Sequence, residues 1–216
     1  MDEFSLENRV LICGKTKAGK SRLLKYLLLT EIKKKTFSKI ILFCPTERIN
    51  NFYSDIIDNN FIFEEFNEDY LKDLVQKLTQ LNSNKKPKEM KKVLLILDDI
   101  VCDTDIHHSK VMKSIYTRCR HIALSIITTC QFINLVPPNV RVNSDFVLCG
   151  SMNRNSLNIL CDEYQSPTID RNEFTKMYSD ATKDYGFLVI NNNSVKDNNN
   201  LNLIYGVIST PKQYIN

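Results

Sequence analysis

The sequence predicts an α/β domain of three layers, with a mainly parallel central sheet and an antiparallel C-terminal edge. Three observations carry this expectation. Short, continuous apolar runs alternate with longer segments of helical periodicity, the pattern of strands buried on both faces by crossover helices. A glycine-containing loop joins the first run to the first helical segment, so strand, loop and helix follow one another as in a βα unit. The last two apolar runs are instead joined across asparagine-rich Asn191–Asn200, which suits a hairpin rather than a crossover.

Taken in order, Val10–Cys13 is the first strand, and Lys20–Lys34 is the helix it feeds. Ile40–Cys44 is the second strand, followed by an irregular stretch and a short strand at Phe61–Phe63. Asp69–Leu81 reads as a helix, and the polar, lysine-rich Asn82–Lys92 as a loop. Val93–Leu97 is fully apolar and reads as a buried strand. His108–Arg118 is helical, and Ala123–Thr129 and Phe146–Cys149 are further apolar strands. Helices at Asn153–Glu163 and Arg171–Asp180 precede the closing pair, Gly186–Ile190 and Leu203–Ile208.

Composition sets the limits. A chain of 216 residues, 43% hydrophobic and 25% charged, fits a single well-buried domain. Its core is expected over about residues 8–165, with C-terminal helices and edge strands over 166–216. The net charge of +4 permits an acidic partner but does not demand one, so any basic groove must be local. Seven cysteines are scattered without a C-x-x-C pair, which favours buried free thiols in a reducing compartment over disulfides or zinc. The acidic N-terminus lacks an apolar signal segment, and no apolar stretch has the length of a membrane span, so a cytosolic protein is expected. With only short flanks around this core, no appended DNA-binding domain is expected.

The glycine loop has a definite chemistry. Gly14, Lys15, Thr16, Lys17, Ala18, Gly19, Lys20 and Ser21 match G-x-x-x-x-G-K-[ST], the phosphate-binding or Walker A pattern, and Arg22 follows inside the helix. Glycines let the backbone wrap phosphates, whose charge is favoured by free N–H groups and the positive end of a helix. Lys20 suits the β- and γ-phosphates, and Ser21 suits Mg²⁺. The expected ligand is a nucleoside triphosphate such as ATP.

Two further runs accompany the loop. Val93–Leu97 ends in Asp98-Asp99, at the sheet edge where the loop holds phosphates. There Asp98 is expected to hold Mg²⁺ through water, and Asp99 to polarise the attacking water, although an Asp-Asp pair also opens loops and caps helices. Arg118, Arg120 and His121 precede the Ala123–Thr129 strand, and Gln131 follows it. Alone, such a glutamine is more often a solvent-facing residue. After the strand following the Asp-Asp strand, it suits a γ-phosphate sensor.

The loop at Gly14–Ser21, Leu97-Asp98-Asp99, Arg120-His121 and Gln131 together resemble the FtsK–HerA superfamily of DNA-pumping ATPases. Arg120-His121 with Ser125, and the run Phe43-Cys-Pro-Thr46, look most like the poxvirus-type genome-packaging ATPases of large DNA viruses and virophages. The resemblance covers about residues 8–165 and implies an additional-strand, RecA-like P-loop NTPase fold. In that fold the strand ending at Gln131 lies between the P-loop strand and the Asp98-Asp99 strand. It also implies a homo-oligomeric ring that hydrolyses ATP with Mg²⁺ at subunit interfaces and drives double-stranded DNA into a preformed capsid. Its partners would be DNA, copies of itself and a capsid or portal-vertex protein, in the host cytoplasm or with the virion. Many relatives carry Glu where this chain has Asp99.

Such a ring needs an arginine donated across the interface to stabilise charge at the γ-phosphate. Arg120 ranks first for that role, Arg118 next and Arg141 third. His121 is read as ordering its turn. The lysines at 33–35 and 85–92 fall at the sheet edge opposite the phosphates; they suit either a solvated face or a pole that meets DNA or the capsid. Competing readings are a small phosphotransferase or GTPase, and a nucleotide-bound scaffold that does not hydrolyse. No Asn-Lys-x-Asp guanine-reading motif is present, and neither kinase nor GTPase accounts for Gln131.

Overall fold

The computed structural model describes residues 4–100, 106, 109–194 and 200–214. An eight-stranded sheet runs through it in the order β3-β2-β4-β5-β1-β6-β7-β8. The parallel part comprises β1 (Arg9–Cys13), β2 (Lys39–Phe43), β3 (Ile62–Phe63), β4 (Val93–Leu97), β5 (Leu124–Cys130) and β6 (Phe146–Cys149). The strands β7 (Gly186–Asn191) and β8 (Tyr205–Ser209) close one edge, β7 antiparallel to β6 and β8 antiparallel to β7. The strand ahead of Gln131 does lie between the P-loop strand and the Asp-Asp strand, as the resemblance implies.

The central strands are uniformly apolar because both faces are covered. One face packs on α1 (Lys20–Lys34), whose Leu23, Leu24 and Leu28 are fully buried against Ile12, Leu42, Leu94 and Ile127. The other face carries α3 (Glu68–Asn82), α4 (Lys110–Arg118), α5 (Pro138–Asn143), α6 (Arg154–Tyr164) and α7 (Arg171–Ala181). A short α2 (Glu47–Asn50) sits in the irregular stretch after β2, and α8 (Leu201–Ile204) precedes β8. No helix among the described residues is long and apolar enough to cross a membrane.

Where boundaries depart from the sequence expectation, local chemistry explains it. Ala123 adopts φ 55°, so it turns the chain and β5 starts one residue later, running to Cys130. The expected strand from Leu203 begins at Tyr205, because Asn200 accepts a hydrogen bond from the Asn202 amide and starts a helical turn. Helix α4 is capped by Ser109, which accepts from the Met112 amide; His108 lies outside the described residues, as does Cys102. The lysine-rich loop before β4 is pinned by Asn82, whose amide side chain bonds the carbonyls of Lys91 and Ile122 and accepts from the Lys91 amide. The described cysteines are buried and free.

Candidate active site

The loop after β1 turns at Gly19, whose φ of 93° favours glycine. It is anchored to the sheet by bonds from the Gly14 amide to the Cys130 carbonyl and from the Lys15 amide to the Ser151 carbonyl. No side chain caps the start of α1, so its first N–H groups remain available to an anion. Lys20 is only 6% exposed, and its ammonium donates to the Gly14 carbonyl at 2.9 Å.

The Asp-Asp and glutamine positions converge on this loop. The Asp99 carboxylate stands 3.9 Å from the Lys20 ammonium. Its backbone is left-handed, φ 54°, and its amide donates to the Thr129 hydroxyl at 2.9 Å. Gln131 bridges the two sides: its Oε1 accepts from Thr16 at 2.8 Å, and its Nε2 donates to Asp99 Oδ2 at 3.4 Å. A carboxylate so placed can accept a proton from water, and an amide so placed can touch both that water and a terminal phosphate.

Asp98 is buried and held by neutral donors: Thr129 Oγ1 at 2.6 Å, the Tyr53 hydroxyl at 2.9 Å and the Cys44 thiol at 3.7 Å. Burial pushes its pKa up, against the pull of those donors, and the charge of Asp99 adds to the rise. Tyr53 is itself positioned by Glu47, which accepts from the Tyr53 and Ser54 amides at 2.7 and 2.9 Å. Burial and then the Asp98 charge raise the Tyr53 pKa well above its ordinary value. Ser21 acts on the same hydroxyl, drawing the Tyr53 pKa down against that rise, so Ser21 and Asp98 both lie beside it. Hard oxygen donors gathered there fit Mg²⁺.

These groups open onto a cavity of about 490 Å³ lined by residues 16–22, Asp99 and Gln131, and by Thr46, Asn50, Phe52, Tyr185 and Thr210. Sequence reasoning missed Tyr53 and Thr129. Thr129 had a signal, being a hydroxyl inside an apolar strand two places before Gln131. Tyr53 had none, because only the fold of the irregular segment brings it to Asp98.

The candidate arginines are elsewhere. Arg118 and Arg120 precede β5, at the opposite end of the sheet from Gln131. The Arg118 side chain is exposed and makes no hydrogen bond or ion pair among the described residues. Arg120 pairs with buried Asp145, which Arg9 also grips through Nε at 3.0 Å and Nη2 at 2.8 Å. Arg141 is bound to Glu163 through both Nε and Nη2 and to the carbonyls of Ile133 and Val136. The lysine runs meet at that far end, where Lys35, Lys88, Lys91 and Lys92 surround a shallow depression with Glu7, and Lys92 pairs with Glu7 at 2.6 Å.

A glycine loop opening a helix, an Asp-ended strand and an intervening strand tipped by glutamine define a P-loop NTPase of the additional-strand type. Residues 4–208 match the Poxvirus A32 protein family, and the chain belongs to it, a family of viral packaging ATPases. Uncharacterized protein 075L of Invertebrate iridescent virus 6 is 33% identical over 193 residues, 88% of this chain and 72% of that protein. Uncharacterized protein 088R of Invertebrate iridescent virus 3 is 25% identical over 89% of this chain and 72% of that protein. The fold is similar to the genome packaging NTPase B204 from Sulfolobus turreted icosahedral virus 2 in complex with AMPPCP. The TM-score is 0.63 at 17% identity, over 96% of this chain and 100% of that one.

Proposed function

We propose that this protein is an ATP-driven double-stranded DNA translocase that packages a viral genome into a preformed capsid as a homo-oligomeric ring. The observation that carries the ATPase part is the convergence of Lys20, Asp99 and Gln131 on one side of the P-loop cavity. In this reading Gly14–Arg22 bind the nucleotide, Lys20 neutralises the β- and γ-phosphates, and Ser21 with Asp98 holds Mg²⁺. That ion, when bound, offsets charge on the phosphate oxygens. Asp99 accepts the proton of the attacking water, and Gln131 orients that water against the terminal phosphate.

Family membership supports the packaging role, and the B204 likeness supports the nucleotide fold. Arg118, Arg120 and Arg141 all lie off the chain's own phosphate site. For any of these three to act at the γ-phosphate it must come from a neighbouring subunit, as the ring reading requires. The lysine-rich end is the surface offered to DNA or to the capsid portal vertex. Steady-state phosphate release with and without double-stranded DNA tests the reading: stimulation by DNA is expected. Phosphate transfer to a small acceptor would replace it with a phosphotransferase, and binding without turnover with a scaffold.

A further inference from the structure

We propose that Tyr185 is the stacking platform for the nucleobase of the bound nucleotide, with the Thr210 hydroxyl as its polar neighbour. This rests on the nucleotide reading above and adds to it the part of the ligand that the phosphate loop does not touch.

Topology sets the direction. Asp99 and Gln131 follow β4 and β5, on one side of the P-loop strand β1. Tyr185 immediately precedes β7 and Thr210 follows β8, on the other side. Because β7 is antiparallel to β6, its start lies at the same sheet edge as the phosphate loop. All four residues line one cavity. With the terminal phosphate facing Asp99 and Gln131, the phosphate chain crosses the loop and delivers its nucleoside end toward β7 and β8.

Tyr185 is shaped for a partner it lacks within the chain. The residue is 54% exposed although its ring lies beside the loop, 3.6 Å from where a Cβ on Gly19 would stand. It has no ring partner among the described residues. Its φ is 61°, after Asp184 at 49°, a left-handed backbone that is costly for a bulky side chain. The turn is held there by Gly186, where a Cβ would come within 2.2 Å of the Ala181 carbonyl oxygen. An aromatic residue that spends strain and contributes no core burial is better explained by a flat ligand than by stability. Thr210 is 5% exposed, lines the same end of the cavity, and its hydroxyl has no hydrogen-bond partner among the described residues.

Every base has a π-face, so stacking on Tyr185 is tolerant of base identity. The test is calorimetric titration of the full chain with ATP, GTP and inorganic tripolyphosphate, for wild type, Tyr185→Asn and Tyr185→Phe. Asn accepts the left-handed backbone while removing the ring. The expected result is a loss of about tenfold for ATP and GTP alike in Tyr185→Asn, unchanged tripolyphosphate binding, near wild-type affinities in Tyr185→Phe, and a Tm no lower than wild type. Equal losses for ATP and tripolyphosphate, or no loss for ATP, would overturn the platform. If wild type bound ATP no tighter than tripolyphosphate, the platform would fall while the phosphate site stood, and this holds even if Tyr185→Asn does not fold. Binding of neither ligand by wild type would remove the nucleotide reading itself, and the platform with it.

Discussion

The two ends of the sheet treat charge in opposite ways. At the starts of the parallel strands, buried Asp145 is matched by cations: Arg9 grips both carboxylate oxygens, Arg120 adds a further bond, and the Arg9 amide donates as well. At the strand ends, Lys20 is almost as deeply buried, yet its one hydrogen bond goes to a neutral carbonyl, with Asp99 at 3.9 Å. Asp98 there is held by hydroxyls and a thiol, none carrying charge. A buried ion is costly unless compensated. One end therefore supplies its compensation from within the chain, and the other leaves room for an anion and a cation from outside.

The sharpest way to break this contrast is to remove a charge from each end. Lys20→Ala is expected to lower ATP turnover by at least about a hundredfold, measured as phosphate release. Its thermal midpoint should fall little, because the ammonium's hydrogen bond goes to a neutral carbonyl and its ion pair with half-exposed Asp99 is long, at 3.9 Å. Asp145→Asn is expected to behave in reverse, costing about 3–5 kcal/mol in denaturant unfolding, since it leaves the Arg9 guanidinium buried and unpaired. Burial opposes the Asp145 charge, but the hydrogen bonds of Arg9 and then the charges of Arg9 and Arg120 outweigh it and hold the pKa below the usual carboxylate range. That sign fixes the pH dependence. The Asp145 contribution is complete above the unfolded-state pKa of about 3.9 and is lost as pH falls through the lower folded value. The stability gap between wild type and Asp145→Asn should thus be full at neutral pH and narrow below about pH 4. A gap independent of pH would mean that Asp145 stabilises by shape rather than charge.

The same contrast separates what was legible in the sequence from what was not. Strand β4 was legible because five apolar residues in a row have no other economical fate than a doubly covered strand. The phosphate loop was legible because its chemistry is local, contained in eight consecutive residues. The short helices α2, α5 and α8 were not, because each depends on a turn or cap rather than on periodicity. The Arg9–Asp145 pair, separated by 136 residues, carries no local signal. Tyr53 is similar, its place beside Asp98 set by the Glu47 side chain gathering two amides of an irregular segment. Arg120 was legible as a motif, but its engagement with Asp145 depends on β1, β5 and β6 being neighbours.

The smallest expected effect concerns Arg120 and sharpens the comparison most. Its side chain is 60% exposed and shares Asp145 with Arg9, so Arg120→Ala should cost no more than about 1 kcal/mol of stability. Because Arg120 lies at the far end of the sheet from the chain's own Lys20, a loss of turnover at unchanged stability in that variant would point to action through a neighbouring subunit. Arg120→Ala and Lys20→Ala chains, each inactive alone, should then recover part of the activity when mixed, since some interfaces would pair an intact Lys20 with an intact Arg120. Arg118→Ala is the parallel arm, as Arg118 is exposed and has no competing partner among the described residues. Recovery with Arg118→Ala but full activity for Arg120→Ala alone would move the trans role to Arg118 and leave Arg120 to the structural end. Arg141 is held by Glu163 and two carbonyls and has a side chain only 12% exposed, so to reach another subunit it would have to abandon contacts already made.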